Sequence, residues 1–357
     1  MKALVLSGGK GSRLRPITHT SAKQLIPIAN KPILFYGLEA IARAGIKEVG
    51  IVVGDTAQEI RAAVGDGSAF GFKATYIPQT EGPLGLAHAV KISHSFIGDS
   101  PFLMFLGDNL LKESLNPLVK DFMGKKPSAQ ILVAKVPNPS AFGVVELNGD
   151  GHVKRLVEKP AHPKSDLALV GVYLFDKSIF EAIRHIKPSA RGELEITDAI
   201  QWLVDHKKKV ITRPTDGWWK DTGKIGDLLE ANRLIHETME HSVHKDAQVD
   251  SASRLEGRVV LEAGVRVVES VIRGPAIIGA NSHIIRSYVG PYSSIYYNTT
   301  VENSEIEHSI VLEQAKISNI RRIQDSLIGQ RVEVIKSPVK PEAYRIMVGD
   351  SSRIEIP

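Results

Sequence analysis

After His241 an apolar residue returns at every sixth position: Val243, Val249, Leu255, Leu261 and Val267. A second run follows at Val271, Ile277, His283, Val289, Ile295 and Val301. The shorter pairs Ile306/Leu312 and Ile317/Ile323 continue it with slips of phase. Small and turn-forming residues fill the gaps, as in Ile278-Gly279 and Val289-Gly290. A period of six marks hexapeptide β-helix repeats, in which each short strand turns a corner and stacks on the coil below. The marker residues should then line one interior, with His283 tolerated there as a corner residue. An ordinary β-sandwich is the alternative, but its strands rarely keep so fixed a spacing.

Residues before 241 read differently. Ala3–Leu6 is a short apolar run ended by glycines, the pattern of a buried strand. Pro32 suits the first turn of a helix with Ile33, Leu34, Leu38 and Ile41 on its apolar face, and Gly45 suits its end. Strands at Val49–Val53, Ala74–Ile77 and Pro101–Leu106 alternate with helices at Thr56–Val64 and Leu86–Ile92. That order implies βαβ units and a mixed, mostly parallel, Rossmann-like α/β sheet. Asn148-Gly149-Asp150-Gly151, between Gly143–Leu147 and Val153–Lys159, predicts a hairpin that adds antiparallel strands. A helix from Ile225 to Met239 closes this part. With 357 residues the chain suits two domains, expected at 1–240 and 241–357.

Composition narrows the function classes. Lys plus Arg number 45 against 40 Asp plus Glu, a net +5 spread along the chain and not clustered as in a nucleic-acid binder. There is no cysteine, so disulfides, thiolate metal sites and Cys nucleophiles are excluded. The longest apolar stretch, Leu167 to Phe175, is far below a membrane span. A cytoplasmic protein is expected, with neither nucleic acid nor membrane as partner.

Ligands of such sheets sit beyond the carboxyl ends of the strands, and the informative loops lie there. Leu6-Ser7-Gly8-Gly9-Lys10-Gly11-Ser12-Arg13-Leu14-Arg15-Pro16 follows the first strand directly. Its glycines let backbone N–H groups approach a phosphate or base closely. No Gly-Lys-Ser/Thr closes it, and Leu14 stands where a dinucleotide fingerprint needs glycine. Arg13 and Arg15 offer guanidinium forks that match phosphate oxygens, which suits a polyphosphate. In Lys23-Gln24-Leu25-Ile26-Pro27, Lys23 can add a point charge and the Gln24 amide can read a base edge; a solvated loop is the equal alternative. Asp108, in Leu106-Gly107-Asp108-Asn109, ends an apolar strand, and Asp221 follows Trp218-Trp219-Lys220. Either aspartate alone reads as a turn former. Together, downstream of a phosphate loop, they suit Mg²⁺, which takes one or two carboxylates plus substrate phosphates. Glu158 and Lys159 end a strand before Pro160. They would place an acid and a base at one sugar-phosphate site if the strand breaks there, and otherwise form a surface ion pair.

Taken in order, LSGGKGSRLRP (6–16), KQLIP (23–27), NKP (30–32), PLGLAHA (83–89), LGDN (106–109), FGVVE (142–146), EKP (158–160), ARGELEITD (190–198) and WKDTG (219–223) resemble the sugar-1-phosphate nucleotidyltransferases. KQL, GELEITD and WKDTG are similar to the thymidylyl-transferring branch of that family. The tail resembles the left-handed β-helix of related pyrophosphorylases in its repeat. The resemblance implies transfer of a thymidylyl group from dTTP to glucose 1-phosphate, with Mg²⁺ as cofactor and a homo-oligomeric enzyme. It implies that Leu6, Gly8, Gly9, Gly11, Ser12, Arg13, Lys23, Gln24, Gln79, Gly85 and Asp108 hold nucleotide. Arg13 and Lys23 would act on the leaving phosphates, Gln24 and Gln79 on the thymine edge. Asn109, Gly143, Glu158, Lys159, Gly171 and Trp219 would hold sugar phosphate, with Lys159 on its phosphate, and Asp108 and Asp221 the metal. Two departures stand out. The segment from Gln79 to Pro83 is one residue longer than usual, and Phe142 stands where many relatives carry tyrosine.

Both reactants of such a transfer are anions, so repulsion is the first obstacle. Catalysis then rests on alignment and electrostatic stabilisation, with Arg13, Lys23 and Lys159 as the catalytic charges. A phosphate oxygen is already deprotonated near neutral pH, so no general base is needed. Three other readings remain open. One is a uridylyl- or other nucleotidyltransferase acting on a different hexose phosphate. Another is a non-catalytic sugar-nucleotide-sensing assembly subunit, disfavoured because Arg13, Asp108, Lys159 and Asp221 are all present. The third is a bifunctional chain whose tail transfers acyl groups, with only His244, His283 and His308 as candidate bases.

Overall fold

The computed structural model describes residues 1–9, 11–19, 22–336, 346 and 348–355. Lys10 of the glycine-rich loop lies outside them. The chain groups into two compact units. The first comprises Met1–Gly11, Ser21–Leu25 and Ile33–Asp221; the second comprises Ser12–Thr20, Ile26–Pro32 and Thr222–Pro357.

The first unit is built on a mixed sheet. Lys2–Ser7 pairs in parallel with Glu48–Val53 on one side and Phe102–Leu106 on the other, and Glu48–Val53 pairs in parallel with Lys73–Pro78. Leu167–Phe175 runs antiparallel to Phe102–Leu106 and to Ala129–Lys135, and Val210–Pro214 joins Ala129–Lys135 in parallel. The central strands are apolar on both faces because both faces are covered. Alternate residues separate cleanly. Leu4, Val52, Phe102 and Met104 enter one core, while Ala3, Val5, Ile51, Leu103 and Phe105 enter the other. Helices Ala57–Val64 and Leu86–Ile92 fall where the spacing places them. The helix expected to open at Pro32 begins at Ile33. Pro32 itself closes a short hairpin against Pro27, which its missing N–H permits at a strand end. Gly45, at φ 78°, lies just past the end of that helix. The Gly143–Leu147/Val153–Glu158 hairpin forms as expected, and Asn148 Oδ1 accepts from the backbone N–H groups of Asp150 (3.1 Å) and His152 (2.8 Å) to shape its turn.

In the second unit, short strands stack into three parallel sheets, the prism of a left-handed β-helix. Val267 lies opposite Ile284, and Ile284 opposite Val301, each seventeen residues on. These two coils are therefore one residue short of three hexapeptides, whereas Val249 to Val267 spans a full eighteen residues and Val301 to Ile317 only sixteen. The missing residue is taken from the side that runs from Val267 to Ile272, or from Ile284 to Val289. This corrects the expected interior. Ile272, Ile278 and Ile284 fill the core, and Val271 and His283 are displaced to its flank, because a strict count of six drifts by one at each short side. Corners recur with a left-handed backbone at Asn281, Asn298 and Gln314, and at Arg286, Asn303 and Asn319. Asn is enriched among them because its short polar side chain tolerates that conformation. Buried corner serines tie the coils together. Ser270 Oγ accepts from Ser287 N (3.0 Å), Ser287 Oγ from Ser304 N (3.1 Å) and Ser304 Oγ from Ile320 N (3.0 Å).

The helix Ile225–His236, shorter than expected at its C-terminal end, groups with this second unit. Its polar side chains are the reason. Asn232 accepts from Ala29 N (2.9 Å) and donates to Tyr292 O (2.8 Å), while the Ser294 hydroxyl lies between Asn232 Oδ1 (2.7 Å) and His236 Nε2 (2.8 Å). His236 Nδ1 reaches Pro275 O at 3.0 Å. Burial pushes the His236 imidazole down to about 4.

Candidate active site

The first strand ends at Ser7, and the chain then turns sharply through glycines. A Cβ on Gly8 would stand 2.5 Å from Gln79 Oε1, and one on Gly54 would stand 2.8 Å from Gly8 O. The end of the Gln79 amide thus lies directly over Gly8. The extra residue after Gln79 does not prevent this, since Gln79 is fixed from its N-terminal side, its N–H donating to Val53 O at 2.9 Å. Gln24 sits under the same loop, its Nε2 3.9 Å from the Cβ position of Gly9. Two buried polar atoms here have no protein partner, Ser7 Oγ and Gln24 Oε1. A buried acceptor left unpaired is costly, so Gln24 Oε1 is suited to a donor from a bound molecule.

Lys23 follows in a single 3-10 turn, Lys23–Leu25, and its side chain is almost wholly buried. Its Nζ lies 2.5 Å from Asp108 Oδ2. Asp108 Oδ1 accepts from Asn109 Nδ2 at 2.9 Å. Burial opposes ionisation of Asp108, but the Lys23 ammonium and the Asn109 amide outweigh it and hold the carboxyl below the usual range. Asn109 Oδ1 in turn accepts from Trp219 Nε1 at 2.5 Å. The strands Asn109–Leu111 and Trp219–Asp221 form a two-stranded antiparallel ribbon in which Asp221 is the direct partner of Asn109. Asp221 therefore lies across the ribbon from the residue that follows Asp108. Gly171 leaves room for this arrangement, since its Cβ would lie 2.7 Å from Asn109 Oδ1.

Lys159 adopts a left-handed backbone, φ 41°, at the end of its strand. The strand thus breaks at Lys159 itself, one residue before Pro160. Glu158 and Lys159, which an unbroken strand would point to opposite faces, come together, with Lys159 Nζ 3.9 Å from Glu158 Oε1. Burial, then the nearby Glu195 carboxylate, raises the Glu158 carboxyl above its ordinary value. Gly143 is the ladder partner of Glu158, and a Cβ there would meet Thr197 at 2.8 Å and Glu158 Oε2 at 3.1 Å. Lys159 N donates to Phe142 O (3.0 Å), and the Phe142 ring meets Trp219 edge-on at 5.2 Å. The side chain without a hydroxyl is used for packing.

These contacts form one continuous path, Lys159–Phe142–Trp219–Asn109–Asp108–Lys23. Leu6, paired with Leu106 and Val52, supports it from the sheet. Two groups of expected residues stand apart. Gly85, at φ 104°, has its Cβ position blocked by the Leu194 backbone (2.3 Å to the carbonyl oxygen), so packing against the 190–198 segment accounts for this glycine. Ser12 and Arg13, in the turn Ser12–Leu14, are exposed and group with the second unit, whereas Gly11 ends a segment of the first. Sequence reasoning gave no role to Arg191, which sits 3.5 Å from Glu158 and 3.3 Å from Glu195, or to Thr197, whose Oγ1 donates to Glu158 Oε2 at 3.4 Å. The alternating charges of Arg191-Gly192-Glu193-Leu194-Glu195 were the available signal.

A glycine-rich loop after the first strand, a buried lysine on an aspartate and a second aspartate on the same ribbon define a nucleotidyl-transferring enzyme, and residues 2–238 match the nucleotidyl transferase family. The chain belongs to that family. It is 56% identical over 356 residues to a glucose-1-phosphate thymidylyltransferase of Streptomyces griseus, covering 100% of this chain and 99% of the relative. It is 44% identical over 360 residues to the low-salt glycan biosynthesis nucleotidyltransferase Agl11 of Haloferax volcanii, 100% of each chain. Among solved structures, a candidate glucose-1-phosphate thymidylyltransferase from Bacillus anthracis, in complex with a sucrose, is similar with a TM-score of 0.62. It is 34% identical, and the match covers 66% of this chain and 94% of that one. Among the described residues no helix is long and apolar enough to cross a membrane.

Proposed function

We propose that the chain transfers a thymidylyl group from dTTP to glucose 1-phosphate, giving dTDP-glucose and pyrophosphate. The observation that carries this reading is the unbroken path from Lys159 to Lys23 through Asn109 and Asp108. It gives one cation to the attacking phosphate and another to the nucleotide. Full-length similarity to the Streptomyces griseus enzyme supports the same reaction.

In this reading Lys159 neutralises the sugar phosphate beside Glu158, whose carboxylate accepts from sugar hydroxyls. Gly143 and Gly171 keep the sugar pocket open, and Trp219 and Asn109 form its wall. Gly8, Gly9 and Gly11 offer backbone N–H groups to the nucleotide, and Gly85 borders the nucleoside. Gln24 Oε1 and the Gln79 amide face the base. Lys23 takes the charge of the leaving phosphates. A phosphate oxygen then attacks the α-phosphorus in line, and its charge never needs removal by a base.

The donor set fits a hard divalent cation. Asp108 is held ionised, Asp221 lies one position away across the ribbon, and two carboxylates with substrate phosphates are what Mg²⁺ takes. When bound there, Mg²⁺ would neutralise phosphate charge. The resident catalytic module is taken to end near residue 240, and the enzyme to be a cytoplasmic homo-oligomer. Pyrophosphate release measured with glucose 1-phosphate across dTTP, UTP, dCTP, ATP and GTP tests the proposal. Preference for dTTP is expected, and preference for another base would replace the thymidylyl assignment.

A further inference from the structure

His88 lies on the helix Leu86–Ile92 and is almost fully buried, yet the reaction above uses no histidine. Its two ring nitrogens face different partners. Nε2 lies 3.3 Å from Glu81 Oε2, and Nδ1 lies 3.5 Å from Gln79 Nε2. Beside a carboxylate, Nε2 is the nitrogen that carries the proton, since a carboxylate can only accept. Nδ1 is then left with its lone pair, and only the NH₂ end of the Gln79 amide can face it favourably. The other end, Oε1, must point away, and it lies over Gly8 in the glycine-rich loop, 2.5 Å from where a Cβ would stand.

We propose that His88, oriented by Glu81, is a positioning residue that fixes which end of the Gln79 amide is presented to the nucleobase. An amide has nearly the same shape either way round, so packing alone does not choose between its two orientations; a neighbour that only accepts does. The consequence is a sign of base preference. With Oε1 outward, Gln79 accepts, which suits the N3–H of a thymine or uracil ring. Turned over, it donates, which suits the unprotonated N3 of cytosine. His88 therefore selects the class of pyrimidine without touching it. This inference rests on the reading that Gln79 meets the base.

The test uses the full-length enzyme, with kcat and KM for dTTP and dCTP, and with dissociation constants for dTDP and dCDP by calorimetry. His88→Ala is expected to raise KM for dTTP and lower the dTTP-over-dCTP preference by about tenfold, the scale of one hydrogen bond, with kcat nearly unchanged. The dTDP-over-dCDP binding ratio should fall in parallel. His88→Asn, whose Oδ1 can take the place of Nδ1, is expected to restore both ratios. Glu81→Ala, at an exposed position, should move them the same way by less, and it serves if His88→Ala does not fold. Unchanged ratios in both His88→Ala and Glu81→Ala, with Gln79→Ala altered, would overturn the role of His88 alone. Unchanged ratios in Gln79→Ala would remove the base-reading assignment and this inference with it.

Discussion

Asp221, which closes one strand of the ribbon, is the cross-strand partner of Asn109, which opens the other and directly follows Asp108 in the chain. Residues more than a hundred positions apart in sequence are thereby made neighbours by a ladder of three residue pairs. Asp221→Asn should lower turnover about a hundredfold or more, as loss of one electrostatic element of a transfer site does, with the circular dichroism spectrum unchanged. Asp108→Asn should lose turnover similarly and also melt earlier, because buried Lys23 is left without its anion. Steady-state assays at saturating Mg²⁺ read the first effect and thermal melts the second. Full turnover in both variants would remove the metal assignment.

Lys159→Ala should raise KM for glucose 1-phosphate far more than for dTTP. Truncating a charge paired with phosphate costs about 2–5 kcal/mol, which is at least tenfold in the specificity constant. The side chain is partly exposed and its Glu158 contact is loose, so the fold should tolerate the change. Equal effects on the two substrates would argue against a sugar-phosphate role.

His236 predicts a pH dependence of stability. Its folded value, about 4, lies below the ordinary 6.5, so the unfolded chain binds this proton more readily than the folded one. The stability it contributes is present above pH 6.5 and is lost as pH falls towards 4, up to about 3 kcal/mol. Urea unfolding of wild type and His236→Gln between pH 7.5 and pH 4 checks the sign: the gap between the two should narrow as the solution is acidified.

The seventeen-residue coil predicts which of two adjacent residues matters. Ile284→Ala should cost about 2–5 kcal/mol, the range for emptying a packed aliphatic site. His283→Ala, on the flank, should change stability by no more than about 0.5 kcal/mol. Denaturant midpoints separate the two, and equal losses would contradict the register.

Local signals carried most of the fold and supplied candidates for the site. Apolar runs ended by glycine placed the central strands, because burial on both faces leaves little freedom in residue choice. The six-residue spacing revealed the β-helix, but its short side was hidden. A residue dropped from most coils looks like noise in a one-dimensional count, and only stacking shows that the loss recurs. Within the site, the aspartates and Lys159 were legible from motif and chemistry. The link between Trp219 and Asn109 and the ion pair between Arg191 and Glu158 were not, because they join segments that only the folded sheet brings together. Gly85 shows the opposite case: its glycine answers to Leu194 backbone, more than a hundred residues on, which no local pattern places there.

The stacked register also limits how such a tail can change over time. Adding or deleting one residue within a strand turns the side chains that follow it to the other face until a corner absorbs the change, whereas gaining or losing a full storey leaves the storeys on either side in step. Tails of this type should therefore differ in length between related chains in increments of a whole turn, and their height can be adjusted without redesigning the chemistry elsewhere.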